Sequence, residues 1–390
     1  MTGSLELRGR LVLTDRVAVG RLTIEHDRIM SVDLEDGSTA PDGSVDAALA
    51  DADLPYLAPG FVDVHVHGWG GHDAMGSAAD LDGMARALLR HGVTSFLPTG
   101  VTNPLPVLHE FAARVRAWMP GAPVDGADPL GFNIEGPFIA AARKGAHNPT
   151  YLAIPADVPR SELEPLLDGF LLTTVAPEIA GGLELIGWLQ ERGVRVSIGH
   201  SAADLATALA GYDSGGTTTT HLFNAMSGVD HRSPGVAVAA LTRDDVYVEL
   251  IADGQHVHRS LWPIVSRTKP TDRLLLVSDA LALAGMGDGR MTIGGLEIEV
   301  RGQGSTLVDS GTLAGSVIAL DSAVRNLVRN GATLPAAVAA ASRNPLAMLG
   351  IADRGRLAGG QLADVVELSD DLVVQRVMRG GTWRAGPLPG

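Results

Sequence analysis

Two histidines, His65 and His67, stand two residues apart at the end of the run Ala58-Pro-Gly-Phe-Val-Asp-Val-His-Val-His-Gly68. The Pro-Gly turn releases an alternating apolar segment, Phe61–Val66, which predicts a buried strand. Side chains two apart on a strand share a face, so both imidazoles can reach one small cation. Two polar residues leaving a strand for structural reasons would look the same, so the partners later in the chain decide. Glu135, His200, His221 and Asp279 each end an apolar, strand-like run. Imidazole and carboxylate suit zinc, iron(II), manganese or cobalt. The chain has no cysteine, so any metal must be held through nitrogen and oxygen. A divalent ion acidifies water and polarises a carbonyl, and a carboxylate such as Asp279 can accept the water's proton and pass it to a leaving amine.

Eight apolar runs can carry these groups: Phe61–His67, Ser95–Thr99, Leu130–Glu135, Leu171–Ala176, Arg195–Gly199, Thr217–His221, Val246–Ile251 and Leu274–Ser278. Helical patterns such as Leu81–His91 and Glu184–Arg192 lie between them. Strands alternating with helices predict an α/β fold, a (β/α)8 TIM-type barrel. A doubly wound sheet competes, but no Gly-rich fingerprint opens its first helix. In such a barrel, catalytic groups come from the C-terminal strand ends, and all six candidates fall there.

Before the barrel, short alternating pieces (Leu5–Arg8, Leu11–Leu13, Val17–Val19, Arg21–Glu25, Arg28–Asp33) predict a small antiparallel sheet, followed by a polar loop from Glu35 to Asp53. After it come strand-like Met291–Val300 and Gly304–Leu307, helical Ser316–Asn330 and Leu334–Met348, and a short alternating tail, Gly355–Arg384. The tail can pair with the N-terminal strands. The expected division is a small β-sandwich domain from 1–57 plus 350–390 and a catalytic barrel from 58–349.

At 390 residues the chain can bury a large core, and 45% hydrophobic with 19% charged residues describes an ordinary globular enzyme. A formal net charge of −15 argues against nucleic acid or an anionic membrane as partner. No stretch reads as a membrane span, and MTGSLELRGR lacks the apolar core of a signal peptide, so the expected location is the cytoplasm.

Further motifs extend the pattern: Glu135-Gly-Pro-Phe138, Lys144-Gly-Ala-His147, Gly199-His-Ser201, His221-Leu-Phe-Asn-Ala-Met226, Ala252-Asp-Gly-Gln-His256, Ser278-Asp-Ala280, Leu313-Ala-Gly-Ser316 and Asn344-Pro345. Together with the His-x-His run they resemble the amidohydrolase superfamily, and within it the N-acetylglucosamine-6-phosphate deacetylases. The resemblance implies a metal-dependent barrel that releases acetate from a phosphorylated amino sugar. It implies Glu135, His200 and His221 as metal ligands, His65 and His67 as ligands of a second ion, and thus one or two divalent ions. It also implies Asp279 as acid/base and His147 as the group that polarises the acetyl carbonyl.

For the substrate it implies a phosphate set of Asn224, Ala225, Arg232 and His256, with Asp253 beside it. Ala146 and Leu313-Ala314-Gly315 would line the sugar pocket, Lys144 would sit on a lid, and the assembly would be a homodimer. Two departures stand out: Leu281 follows Ser278-Asp-Ala where the family usually has Thr, and the loop before Arg232 reads Ser227-Gly-Val-Asp-His231. Alternatives are a related amidohydrolase acting on another N-acetyl amino sugar or a cyclic amide, and a silent barrel serving as a scaffold. Many cyclic-amide enzymes place a carboxylated lysine at the fourth strand, where this chain has Thr174-Val-Ala-Pro-Glu178.

Overall fold

The computed structural model describes residues 4–39 and 53–386. Its centre is a ring of eight parallel strands: Phe61–Val66, Val93–Val101, Phe132–Glu135, Phe170–Val175, Arg195–Ile198, Gly216–Thr219, Tyr247–Leu250 and Leu274–Leu276. Each pairs in parallel with the next, from Phe61 beside Val93 round to Val248 beside Leu274. Backbone bonds from Asp279 N to His65 O (2.8 Å) and from His67 N to Ala280 O (2.9 Å) join the eighth strand's exit to the first strand. The eight predicted runs and these strands coincide to within a few residues.

Parallel strands need a crossover, and the helices Ala78–Leu89, Leu105–Trp118, Gly182–Gln190, Leu205–Asp213, Val236–Thr242, Trp262–Thr268 and Leu320–Arg329 stand around the ring. The first is held by a capping box in which Ser77 and Asp80 satisfy each other's backbone N–H groups. Its Leu81, Met84, Ala85, Leu88 and Leu89 are buried against the barrel. Burial of each large apolar side chain contributes roughly 1.5–3 kcal/mol, and Phe61, Phe96, Phe111 and Phe132 are among the largest fully buried ones.

One predicted helix is two. The stretch Leu334–Met348 folds as Leu334–Ala340 and Arg343–Leu349, with a non-helical Ser342 between them. Pro345 explains the break: it lacks an N–H for a helix interior but fits the first turn of a new helix.

The chain ends combine as expected. Leu5–Val12, Val17–Glu25, Arg28–Thr39 and Tyr56–Pro59 form one seven-stranded sheet with Val365–Leu368, Val374–Arg379 and Thr382–Ala385. The five short N-terminal pieces are thus three longer strands. The sheet curls until Arg28 bridges Leu362, around its own core of Leu11, Leu22, Ile24, Ile29, Leu57, Val365 and Met378. The predicted loop from Glu35 begins as the end of the Arg28–Thr39 strand, and residues 40–52 lie outside the described ones. Arg354 and Arg379 both grip Asp128, at 2.7 and 2.6 Å, tying the terminal segment to the barrel.

A three-stranded meander, Gly289–Ile293, Leu296–Arg301 and Gly304–Leu307, follows the eighth strand and roofs the barrel mouth with Ile293 and Ile298. Among the described residues no helix is long and apolar enough to cross a membrane.

Candidate metal centre

Six of the predicted residues converge at the C-terminal mouth of the barrel. His65 lies in the first strand and His67 just beyond it, Glu135 closes the third, and His200, His221 and Asp279 follow the fifth, sixth and eighth. The last three adopt left-handed backbone, with φ of 46°, 29° and 50°. Phe223 and Ala225, in the loop after His221, do so as well, at 78° and 48°. Such conformations are costly for non-glycine residues, and they cluster here, where each turns a side chain back over the mouth. Gly136 has a steric reason to be glycine: a Cβ there would lie 2.1 Å from Thr102 Oγ1, which itself donates to the Glu135 carbonyl at 2.8 Å.

Glu135 divides the site. Its Oε1 lies 3.0 Å from His200 Nε2 and 2.9 Å from His221 Nε2, which are 3.1 Å apart. Its Oε2 lies 3.2 Å from both His67 Nε2 and His147 Nε2, and 3.6 Å from His65 Nε2. Asp279 Oδ1 is 3.3 Å from His67 Nε2 and 3.6 Å from His65 Nε2. Two ligand sets result, His65–His67–Glu135–Asp279 and Glu135–His200–His221, each with its ligand atoms within 4.8 Å of one another.

Electrostatics differ between the two. Burial opposes charging of His67, yet hydrogen bonds to Asp279 and Glu135 outweigh it and raise its pKa to about 9. His65 is likewise opposed by burial but raised well above the ordinary imidazole value by the charges of Glu135 and Asp279. Burial, and then repulsion from His147, push His200 down to about 4. His221 is raised, Glu135 outweighing its burial. Against its burial, Glu135 is held well below the usual carboxylate range by His65 and His147.

The donor set fits a divalent cation. Three imidazoles bind a fixed acceptor through Nδ1: His65 to Glu249 Oε2 (3.0 Å), His67 to the Thr99 carbonyl (3.1 Å) and His200 to the Arg143 carbonyl (2.9 Å). That places a proton on each Nδ1, so Nε2 is the nitrogen that faces inward and, once it has lost its own proton, offers a lone pair, the arrangement of metal-binding histidines. For neutral His200, the bare Nε2 would press on the Glu135 oxygen and on His221 with nothing between them. A shared cation removes that repulsion. His65 Nε2 is buried and has no hydrogen-bond partner among the described residues.

A pocket of about 290 Å³ opens beside these ligands. His147, Ala146, Asn224, Ala225, His256, Leu313, Ala314 and Gly315 line it, as does Asp279. Asp253 sits behind His256, its Oδ2 2.7 Å from His256 Nδ1. Lys144 turns back to the Gly145 carbonyl at 3.3 Å and is not among the lining residues. Arg232 is also outside: it is exposed, and its backbone N–H caps Asp230 at 2.8 Å. Within its own chain, Arg232 is therefore not part of the pocket lining. The loop Gly228–Ser233 points to solvent, with Val229 66% exposed, because it contributes no apolar anchor to the barrel.

Sequence reasoning overlooked Glu249, Thr99, Arg143 and Asp63. Glu249 and Asp63 had a signal: each is a carboxylate inside an apolar strand, Tyr247-Val-Glu-Leu250 and Phe61-Val-Asp-Val64, and both are buried. Burial pushes Asp63 up to about 6. Thr99 and Arg143 act on the histidines through backbone carbonyls, which no residue type reveals.

Residues 56–384 match the amidohydrolase family. The chain is 38% identical over 390 residues to the N-acetylgalactosamine-6-phosphate deacetylase of Escherichia coli O157:H7, spanning 98% of each. It is 39% identical over 346 residues to the N-acetylglucosamine-6-phosphate deacetylase of Homo sapiens, 84% of each. A solved structure of a mutant N-acetyl-D-glucosamine-6-phosphate deacetylase from Mycobacterium smegmatis, in complex with N-acetyl-D-glucosamine-6-phosphate, superposes with a TM-score of 0.87. It shares 32% identity, over 98% of this chain and 99% of that one.

Proposed function

The chain belongs to the amidohydrolase family, and from that premise we infer that it hydrolyses the acetamide of N-acetyl-D-glucosamine 6-phosphate to D-glucosamine 6-phosphate and acetate. The observation that carries this reading is the pair of ligand sets sharing Glu135 at the floor of a sugar-sized pocket that Asp279 also lines. Acetate release from this substrate, abolished by a chelator and restored by a divalent ion, tests it. No acetate from metal-replete protein would overturn it.

We propose that Glu135, His200 and His221 would hold one ion and that His65, His67 and the shared Glu135 would hold a second. Zinc, iron(II), manganese and cobalt all suit the set. When bound, such an ion supplies Lewis acidity to the acetyl carbonyl and makes water more acidic. Asp279, its pKa lowered because the charges of His65 and the hydrogen bond of His67 outweigh burial, is ionised and ready to take a proton. It takes that proton from the attacking water and returns it to the amine as the C–N bond breaks. His147 donates an N–H to the carbonyl oxygen as charge develops there. Ile293 and Ile298 overhead limit the entry of bulk water.

His256, held by Asp253, and the backbone around Asn224 and Ala225 bind the phosphate, and Leu313-Ala314-Gly315 and Ala146 hold the sugar. Arg232, exposed and with no side-chain partner among the described residues, reaches the phosphate of a second copy, which makes a homodimer the working unit; Lys144 belongs to the lid. Residues 1–57 with 350–390 make up the small domain and 58–349 the barrel, the strand Tyr56–Pro59 of the terminal sheet running across the first boundary. The enzyme works in the cytoplasm.

A second reading has its own support: the E. coli O157:H7 relative acts on the C4 epimer and matches nearly end to end. Comparing kcat/KM for the gluco and galacto 6-phosphates decides between them.

A further inference from the structure

Glu249 is a carboxylate only 1% exposed in the middle of the seventh barrel strand, flanked by Val248 and Leu250 at 0%. Its Oε2 accepts from two donors: His65 Nδ1 at 3.0 Å and the backbone N–H of His221 at 3.1 Å. Its Oε1 has no hydrogen-bond partner among the described residues. A buried charge with one oxygen unsatisfied is expensive unless a positive charge lies near it. The group that faces it is the His65 ring, whose Nε2 on the far side looks toward Glu135 and Asp279.

We propose that Glu249 is a positioning residue that selectively strengthens the His65–His67 ion site. It fixes the His65 proton on Nδ1 and aims the unpartnered Nε2 at Glu135 and Asp279. Its negative charge also makes that nitrogen a better donor to a cation. The same oxygen holds the His221 backbone, so the two ligand sets share a second carboxylate behind the Glu135 bridge. His67 and His200 have only backbone carbonyls in this position, Thr99 and Arg143. Glu249 therefore makes one ligand of the second site unlike the rest. The inference rests on the two-ion reading above.

The test is a titration of metal-free protein with Co²⁺ against a chromophoric chelator, comparing wild type with Glu249→Gln. The amide keeps the size and an acceptor oxygen but loses the charge. Wild type should take up two equivalents. In Glu249→Gln the second equivalent should bind on the order of 10–100-fold more weakly, with the first unchanged. The metal-free variant should melt as wild type does. Glu249→Asp, which keeps the charge on a shorter arm, should fall between them and serves if the amide fails to fold. Unchanged binding of the second ion, or parallel weakening of both, overturns the proposal. So does a lower melting temperature of the metal-free variant with both affinities intact, which would mark Glu249 as purely structural. A single equivalent in wild type would sink the two-ion reading itself, and this inference with it, before any variant is made.

Discussion

On the Oε2 side of Glu135, His65 and His67 face two carboxylates, Glu135 and Asp279; on the Oε1 side, His200 faces one carboxylate and the imidazoles of His147 and His221. The same residue type therefore behaves oppositely a few ångströms apart, His67 holding its proton up to about 9 and His200 shedding its own at about 4. The difference teaches that the two ligand sets are built for different competitors. An ion entering beside His67 must displace a proton, whereas one entering beside His200 meets a free lone pair. Glu135, shared by both, sets both.

The largest effect should come from removing what the sides share. Glu135→Ala should abolish metal uptake on both and reduce acetate release to background, while His200→Ala should empty only its own side. Elemental analysis beside the activity assay checks this. A full complement of metal in His200→Ala would break the division at Glu135.

Next is the carboxylate that belongs to one side only. Asp279→Asn should fold and keep metal on the His200 side yet lose about 10²–10⁴-fold in kcat, the usual contribution of a general acid–base. Near-normal turnover would move the proton transfer to His147.

Away from both sides, phosphate recognition should separate from chemistry. His256→Ala and Arg232→Ala should each lower kcat/KM for the phosphorylated sugar by about 1.5–3 kcal/mol, the range of a charge-assisted hydrogen bond. Unphosphorylated N-acetylglucosamine should be hardly affected. Equal losses on both substrates would assign the residue to fold or interface.

The smallest effect sharpens the electrostatic contrast in metal-free protein. His67 has a folded pKa raised from 6.5 to about 9, so its stabilisation is complete below 6.5 and lost as pH rises through about 9. His200 is lowered from 6.5 to about 4, so its neutral form favours folding above 6.5 and that advantage is lost as pH falls through about 4. Melting curves of His67→Asn and His200→Asn should each flatten one flank of the wild-type profile, by on the order of a few degrees. If both flatten the same flank, the two sides are not electrostatically distinct.

Much of this protein could be read in one dimension because it rests on local periodicity. The eight strands are apolar runs of strand length, and residues two apart on a strand share a face whatever surrounds them, which is why His65 and His67 were legible as a pair. Chemical type likewise named the ligand class: a chain with no cysteine and histidines at strand exits can bind a cation only through nitrogen and oxygen. The break at Ser342 could have been read too, from Pro345.

What lay beyond the sequence is what depends on contacts between distant residues. Glu249 meets His65 across 184 residues, and the carbonyls of Thr99 and Arg143 reach His67 and His200 across 32 and 57. A carbonyl belongs to every residue, so only its position in space makes it a ligand's anchor. Arg232 is the converse: its type suits phosphate, but the loop that carries it leaves the barrel, and the tertiary structure puts it outside its own pocket. The sequence by itself determined the strands, the faces and the donor chemistry, because these follow from spacing and side-chain type. Only the closed barrel decided which oxygen of Glu135 looks at which histidine and which buried carboxylate stands behind them, because those distances exist only once the eighth strand has come back to the first.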